Sequence, residues 1–450
     1  MLLACRALSL ALIGWLFGVT VYRAATQSIT IDEAYTASQF VWRPLGAMVA
    51  EYDANNHVLY TLLAKLTTAW GTTDLTLRLP ALAGAALFFA ALYRLLGQLT
   101  SGSSSPWWMP LGVALIGGNT YILDLLPLAR GYGLALGLFT LGLSWSVDEA
   151  GSRSPRAAGL MLGLAVAANL TLLIPVAGLL AGLIWLDRRD AIGPALTAAL
   201  TAAALLAAPM WNAAREHFYF GTDSPVTSLA SLMGASLTHD WSERGGPVMG
   251  GVIVAVLVLA ATVAAGFVLR GTGRALFLLA STISAGALLL AAGHHLTGLP
   301  YPYGRTGLYW ILLIGAGLVS LAARFRIVAW MGALITVAAV RFYAAEWSTE
   351  FTTDWQYDAG TRAIAERIAA RTRPEGRLVR VGASAPLAFA LNYYRITRGW
   401  TWMAEVAQDD VRRGEYDYYA VYGPEREWAE AQHKTVLYEH KVAGSILAAR

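Results

Sequence analysis

The chain has 450 residues, of which 56% are hydrophobic and only 14% are charged, with a formal net charge of +4 and a mean hydropathy of +0.50. Soluble domains carry about one quarter charged residues, so this composition excludes an ordinary soluble protein and indicates a polytopic α-helical membrane protein. The single cysteine, Cys5, excludes intrachain disulfides and cysteine-based metal clusters. The basic residues are mostly arginines in short clusters between apolar runs, which indicates membrane topology and not a nucleic-acid partner.

Apolar runs predict about eleven transmembrane helices, since one span needs roughly 20 apolar residues. The predicted spans are residues 7–24, 76–98, 107–124, 128–147, 157–170, 172–186, 192–210, 247–269, 274–293, 306–323 and 327–343. The first of them resembles a signal peptide in position, but no clear small-residue cleavage site follows it. We therefore expect it to be retained as a span.

Arginine clusters in one set of short loops predict the orientation of the chain. Arg324 with Arg326 is one such cluster, and the positive-inside rule assigns loops of this kind to the cytoplasm. The N-terminus is then cytoplasmic, and the odd number of spans places the C-terminus outside. The loops predicted to be extracytoplasmic are residues 25–75, 211–246, 294–305 and everything from 344 onward.

Residues 344–450 predict a small extracytoplasmic α/β domain that follows a transmembrane domain of residues 1–343. They are richer in charge than the rest of the chain, and the two signs nearly balance. Asp358–Gly376 is typical of an amphipathic helix that ends at Pro374 and Gly376. Short strands are predicted in RLVRVGA (377–383), DYYAVYG (417–423), TVLYEH (435–440) and SILAAR (445–450).

The first external loop, residues 25–75, combines helical periodicity with many tryptophan, tyrosine and leucine residues, which is typical of amphipathic helices at a membrane surface. Thr30 and Glu33 within it fit a capping box, which gives Glu33 a structural role. The box does not require Asp32. A carboxylate at the membrane edge is costly unless it is paired or hydrated, so Asp32 is a candidate functional residue.

Asp53 and His57 lie four residues apart and would share one face if their stretch were helical. The alternative is a capping aspartate beside a half-buried histidine. The sequence does not decide whether Asp32, Asp53 and His57 form a Mg²⁺ or Ca²⁺ site. Such a site needs several converging oxygen ligands, and sequence spacing alone does not show convergence. The sequence contains no Gly-rich loop of the kind that binds nucleotide phosphates.

Three arginines stand at predicted external ends of spans: Arg78, Arg130 and Arg305. Arginine binds phosphate through two parallel hydrogen bonds, so each is a candidate for contact with an anionic lipid. The structural alternative is a side chain that snorkels to the membrane surface or pairs with a nearby acid.

Several short motifs resemble polyprenyl-phosphate-dependent glycosyltransferases of the GT-C fold, in particular the protein O-mannosyltransferase and lipid A aminoarabinose transferase group with its bacterial relatives. The motifs are DEAYT, EYDANNHVLYTLLAKLTTAWG, LTLRLPALAGA, LPLARGYGLALGL, YPYGRTGLYW, WQYDAGTRAI and LNYYR. The chain departs from the group in DANNHVLY, which lacks the two prolines that usually follow the histidine.

The resemblance implies a GT-C fold and a role for each candidate residue. Asp32 would be the general base, with Asp53 assisting it or positioning the acceptor. Arg305, Arg130, Arg78 and His57 would contact the donor phosphate, while Glu33 stays structural. The partners implied are a polyprenyl-phosphate-linked sugar and an envelope glycan, lipid or protein acceptor at the outer face of a bacterial inner membrane, with no nucleotide or nucleic acid.

Two other functions compete with this interpretation. A transporter or lipid flippase would carry ionisable residues in the middle of its spans, whereas the acids of this chain gather in the external loops. An inactive scaffold that binds lipid-linked sugar would agree with the missing prolines. The position of the acids favours an enzyme.

Overall fold

The computed structural model shows a predominantly helical protein with one small sheet. It describes residues 1–50, 53–103, 105–148, 154–211, 213, 218–240, 242–271, 273–372 and 377–450. The helix end predicted at Pro374 and Gly376 lies outside these residues.

The helices cover most of the described chain and confirm the polytopic α-helical fold. In chain order they are α1 (Leu2–Thr26), α2 (Ile31–Thr36), α3 (Leu45–Ala50), α4 (Val58–Thr67), α5 (Asp74–Leu99), α6 (Trp108–Gly112), α7 (Thr120–Leu125), α8 (Gly131–Val147), α9 (Pro155–Ala168), α10 (Leu173–Leu186), α11 (Arg188–Trp211), α12 (Pro225–Leu237), α13 (Gly246–Val268), α14 (Arg274–Thr297), α15 (Tyr309–Ala322), α16 (Arg326–Glu346), α17 (Thr361–Arg371), α18 (Ala385–Thr397) and α19 (Pro424–Ala431).

Within the described residues, six helices are long and apolar enough to cross a membrane, namely α1, α5, α11, α13, α14 and α16. The other predicted spans fall on shorter apolar helices, so the chain is a multi-pass membrane protein. The span predicted over 107–124 is interrupted. It consists of α6, a π-helical segment at Val113–Gly117, and α7, which begins after Asn119 because the Asn119 side chain accepts the N–H of Ile122.

One compact unit comprises residues 1–21, 48–60 and 80–347. Its helices approach one another closely where one of them carries a glycine. A Cβ atom on Gly84 in α5 would lie 2.4 Å from the Cα of Leu134 in α8, and one on Gly159 in α9 would lie 2.2 Å from the carbonyl oxygen of Pro194 in α11. Small residues at such crossings let backbones pack tightly without a side chain between them.

The second compact unit comprises residues 22–47, 61–79 and 348–450. Its sheet has the order β1-β2-β4-β3, with β1 parallel to β2 and the other pairs antiparallel. The strands are β1 (Val381–Ala383), β2 (Tyr418–Val421), β3 (Thr435–His440) and β4 (Ser445–Ala449), each inside a predicted strand. The helix α17 occupies the predicted amphipathic stretch, whereas α18 and α19 had not been predicted.

Candidate active site

The start of α2 positions Asp32. Thr30 Oγ1 accepts the N–H of Glu33 at 3.3 Å, and Glu33 Oε2 accepts the N–H of Thr30 at 3.0 Å, so the predicted capping box is present. The box fixes the first turn through residues on either side of Asp32. The Asp32 side chain itself is half-buried.

Glu33 is also the partner of Arg78, and both side chains are fully buried. Arg78 Nε donates to Glu33 Oε1 at 2.8 Å and Nη2 donates to Oε2 at 2.7 Å. The remaining guanidinium hydrogens go to the carbonyls of Ala24, Gln27 and Ser28. A guanidinium has five N–H donors, and these contacts use all of them. The surroundings of Arg78 therefore fit a structural role, and its predicted contact with the donor phosphate has no geometric support.

A third carboxyl group, Asp358, lies at the start of the same helix. Its Oδ2 accepts the N–H of Ile31 at 2.7 Å, and the residue is 1% exposed. Burial, together with the charges of Asp32 and Glu33, holds the pKa of Asp358 well above its usual value. Sequence reasoning missed this residue, because 327 positions separate it from its hydrogen-bond partner.

In the other unit, Asp53 and His57 belong to a turn and not to a helix. Asp53 Oδ1 accepts the N–H of Asn55 at 2.7 Å, and the Asp53 carbonyl accepts the N–H of Asn56 at 2.9 Å. The condition for a shared helix face is therefore not met, and Asp53 is closer to the alternative of an aspartate that accepts a local backbone N–H. The Asp53 side chain instead shapes the turn that presents Asn55, a local pattern typical of aspartate.

Arg130 joins this turn to the start of α8. It is the residue just before the helix, is 2% exposed, and donates from Nη2 to Asn55 Oδ1 at 2.9 Å. Two residues later, Tyr132 packs edge-on against His57 with 5.3 Å between the ring centroids. The sequence ARGYG thus places a cation and an aromatic ring against one turn.

Arg305 reaches the same tyrosine from the segment Gly304–Gly307, a short 3₁₀ helix. Its Nε donates to the Tyr132 hydroxyl at 3.1 Å, and its Cζ lies 4.7 Å from the centroid of the Phe220 ring. This distance is in the range of a cation–π contact. Tyr132 thus brings Arg305 and His57 together, and Arg130 reaches the turn that carries His57. We call Arg130, Arg305, His57 and Tyr132 the cationic cluster.

His57 is electrostatically neutral within the cationic cluster. Burial lowers its pKa well below the usual value, and the positive charges of Arg130 and Arg305 lower it further. Its ring is hydrogen-bonded to the backbone of Ala168, while its Nε2 is buried and has no hydrogen-bond partner among the described residues. A buried nitrogen in this state is ready to bind a polar ligand group.

A cavity of about 380 Å³ adjoins the cationic cluster. Most of its wall is apolar, and His57, Tyr132 and Phe220 contribute to it. The remaining side chains come mainly from α9, α10 and α11, and from residues 299–306. A cavity of this kind fits a ligand with a hydrocarbon part and an anionic group, since the arginines can neutralise the anion where the hydrocarbon is buried.

The described residues contain no group of three or more His, Cys, Asp or Glu side chains arranged to hold a metal ion. The three residues considered for a Mg²⁺ or Ca²⁺ site do not form such a group; they are Asp32, Asp53 and His57. The divalent cation is therefore not assigned to any of these residues.

No protein-family model matches the chain, and no curated protein matches it. Its three-dimensional structure is similar to two crystal structures of ArnT from Cupriavidus metallidurans, one in the apo state and one bound to undecaprenyl phosphate. Each similarity covers 98% of this chain and 97% of ArnT, with a TM-score of 0.50 and 12% sequence identity. The chain has the GT-C fold. The GT-C architecture predicted from the motifs is thereby confirmed along almost the whole length of both proteins.

Tyr132 of the cationic cluster and Asn55, which contacts Arg130, were not predicted as site residues, although both lie in motifs that the sequence analysis singled out. Tyr132 stands two positions after Arg130 in ARGYG, and Asn55 lies between Asp53 and His57 in DANNH. Both occur inside motifs that resemble the GT-C group. A motif shows that its residues belong together, but not which side chain contacts which.

Proposed function

We propose that this protein is a polyprenyl-phosphate-dependent glycosyltransferase that transfers a sugar to an acceptor hydroxyl at the outer face of a bacterial inner membrane. The observation that carries the proposal is the cationic cluster beside a largely apolar cavity of about 380 Å³. This combination suits a lipid phosphate, and ArnT, which has the same fold, has been crystallised with undecaprenyl phosphate.

The prenyl chain and the phosphate of the donor bind to different surfaces, namely the cavity wall and the cationic cluster. The prenyl chain lies against the apolar wall, where burial of hydrocarbon supplies affinity. Arg305 and Arg130 contact the phosphate, because guanidinium groups bind phosphate oxygens through paired charge-assisted hydrogen bonds. Nε2 of His57 takes up a proton when the anionic donor binds, and then donates a hydrogen bond to a phosphate oxygen.

The transfer step inverts the anomeric carbon. The acceptor oxygen forms a bond to that carbon, and the bond between the carbon and the phosphate oxygen breaks. The acceptor proton passes to the Asp32 carboxylate, which acts as general base. Polyprenyl phosphate leaves with the bonding electrons, and the arginines stabilise the negative charge that grows on it. Asp53 acts indirectly by forming the turn that places Asn55 beside Arg130.

A lipid flippase is the second function to be tested, because it would bind the same lipid. It would move the lipid across the membrane with no bond broken. The buried Nε2 of His57, the two nearby arginines and the half-buried Asp32 favour chemistry, since general bases and fixed cations are what glycosyl transfer requires.

The test uses purified full-length protein with undecaprenyl phosphate that carries mannose, glucose or 4-amino-4-deoxyarabinose, and an envelope extract as acceptor. Release of undecaprenyl phosphate is the readout, because every donor of this class yields that product. We expect one donor to be consumed and its labelled sugar to appear on an extract component. Movement of intact donor across vesicle membranes, with none of the three consumed, would overturn the proposal in favour of a flippase.

A further inference from the structure

The backbone that leads into α2 is held by two residues that follow α16 in the chain. The Tyr394 hydroxyl accepts the N–H of Ile29 at 2.9 Å, and Asp358 Oδ2 accepts the N–H of Ile31 at 2.7 Å. Ile31 and Asp32 are the first two residues of α2. The Asp358 contact is therefore made to the helix that carries Asp32, whereas the Tyr394 contact is made to a residue before this helix.

The surroundings of Asp358 suit a neutral acid. Its Oδ1 is buried and has no hydrogen-bond partner within the described part of the chain. A buried, ionised carboxyl with an unsatisfied oxygen would be costly. A space of about 10 Å³ beside it, lined in part by Thr30 and Trp355, is close to the minimum that one water molecule needs.

The charged and titratable groups around Asp358 favour the same state. Asp32 and Glu33 face it from α2, and their charges add to burial in raising the pKa of Asp358. Tyr422 follows β2 and has its own pKa raised by burial and by Asp358, while Glu350 lies at the small space beside it. Tyr422 is uncharged at neutral pH and Glu33 is paired with Arg78, so the charge that opposes ionisation of Asp358 comes mainly from Asp32 and adds to the cost of burial.

We propose that Asp358 is a positioning residue for Asp32, and that it acts as a neutral carboxylic acid. It accepts the Ile31 N–H and so fixes the first turn of α2, without placing a second negative charge beside the base. The inference rests on the proposed function, in which Asp32 removes the acceptor proton. It gives Asp358 an indirect part in the reaction, through the geometry of one helix turn.

Two variants separate the hydrogen bond from the charge. Asp358→Asn keeps an oxygen acceptor and stays neutral at every pH, so we expect kcat close to that of the wild type. Asp358→Ala removes the acceptor, and we expect kcat to fall by about 10- to 100-fold, the scale of loss from small misplacement of a reacting group, while the KM for the donor is unchanged.

Tyr394→Phe is the control, because it removes the acceptor of a neighbouring backbone N–H, together with the contacts of the same hydroxyl to Asp74 and Arg362. That hydrogen bond lies outside α2. We expect Tyr394→Phe to lower thermal stability as Asp358→Ala does, but to keep kcat. Equal loss of kcat in both variants would reduce Asp358 to general stabilisation and overturn the inference.

A second measurement needs no substrate. The folded protein retains the Asp358 proton above the pH at which the unfolded chain releases it, so the contribution of Asp358 to stability falls as pH rises from about 4 toward neutrality. Asp358→Asn lacks this contribution, so relative to the wild type we expect its midpoint of thermal unfolding to shift upward as pH rises over this range. Equal slopes in the two proteins, or a loss of kcat in Asp358→Asn as large as in Asp358→Ala, would contradict a neutral acid.

The roles of Asp32 and Asp358 can be tested separately. If Asp32→Asn keeps full turnover, the assignment of the base fails, and the proposed function must change. If Asp32→Asn is inactive while Asp358→Ala keeps wild-type kcat, the base stands and only the inference about Asp358 fails.

Discussion

Arg78 and Arg305 carry the same side chain in opposite surroundings. Arg78 is fully buried and donates all five of its N–H groups to Glu33 and three backbone carbonyls. Arg305 is half-buried beside Tyr132 and Phe220. The sequence marked both as phosphate contacts, because both stand at predicted span ends. It could not separate them, since the deciding partners lie 45 and 173 residues away.

Replacing Arg305 tests the donor site. Arg305→Ala should weaken the binding of undecaprenyl phosphate by about 10- to 100-fold, the worth of a hydrogen bond to a charged group. Arg305→Lys should give an intermediate loss, because lysine keeps the charge but not the paired geometry. The measurement is a binding titration with purified protein.

Arg94→Ala is the control for this titration. Arg94 pairs with Asp148 in the same compact unit and is not part of the wall of the cavity. We expect wild-type affinity in this variant. Wild-type affinity in Arg305→Ala as well would move the phosphate site elsewhere.

The burial of His57 leads to a prediction of how the thermal stability of the protein depends on pH. Its folded-state pKa is lowered by burial and by Arg130 and Arg305, so below about pH 6.5 the unfolded chain binds a proton that the folded protein does not. The contribution of His57 to stability should therefore be lost as pH falls below that value, and His57→Gln should lose less stability than the wild type over this range. Thermal unfolding across this pH range is the measurement.

The exposed His295 provides the comparison for the acid response. His295→Gln should show the same pH dependence as the wild type. Bound undecaprenyl phosphate should make the wild-type curve shallower, because the anion offsets the two arginines. A His57→Gln curve that coincides with that of the wild type would contradict the buried, neutral state of His57.

Among the elements, the start of α8 carries much of the cationic cluster, because Arg130, Gly131 and Tyr132 are consecutive. The glycine is required by packing. A Cβ atom there would lie 1.9 Å from the carbonyl oxygen of Ala168 and 2.9 Å from the Cβ of His57. Helix α8 could begin against this turn only with the smallest residue at its first position.

Gly131→Ala should therefore push α8 away from His57 and the end of α9. We expect a loss of about 1–3 kcal/mol in stability, the typical cost of overpacking, together with weaker binding of undecaprenyl phosphate. Gly97→Ala in α5 is the control, since a Cβ atom there meets nothing within 4 Å. Thermal unfolding and the binding titration would show the difference, and equal behaviour of the two variants would contradict the packing argument.

Elements differ in how much of them the sequence reveals. Transmembrane helices follow from long apolar runs, and the start of α2 follows from a local capping box, so both could be predicted. The turn at residues 53–57 resembles a helix in spacing alone, and its backbone is set by Asp53 and Asn55. Helix α18 was missed because a short apolar stretch is ambiguous between helix and strand.

For the whole molecule, hydropathy and a few motifs were enough to predict the GT-C fold, although sequence identity to ArnT is only 12%. A membrane-spanning segment must be an apolar helix whatever its individual side chains, because the hydrocarbon offers its backbone no hydrogen-bond partner. The contact between Asp358 and Ile31 has no such signature. It joins distant segments and depends on their tertiary arrangement.

The orientation in the membrane is a prediction that single cysteines can test. Cys5 is the sole cysteine and is buried, so Cys5→Ser gives a cysteine-free background. We expect Gln408→Cys to react with a membrane-impermeant maleimide in intact spheroplasts, because the C-terminal residues are predicted outside. Gly271→Cys, in a predicted cytoplasmic loop, should react only after lysis. The reverse pattern would invert the topology and place Asp32 on the wrong side.

Turnover by Asp32→Asn tests the account most directly, with release of undecaprenyl phosphate from the sugar donor as the readout. We predict a fall of at least about 100-fold, the lower range of what a general base contributes, with unchanged affinity for undecaprenyl phosphate. Glu366→Gln, at an exposed acid, should keep full turnover. Wild-type turnover by Asp32→Asn would contradict the account.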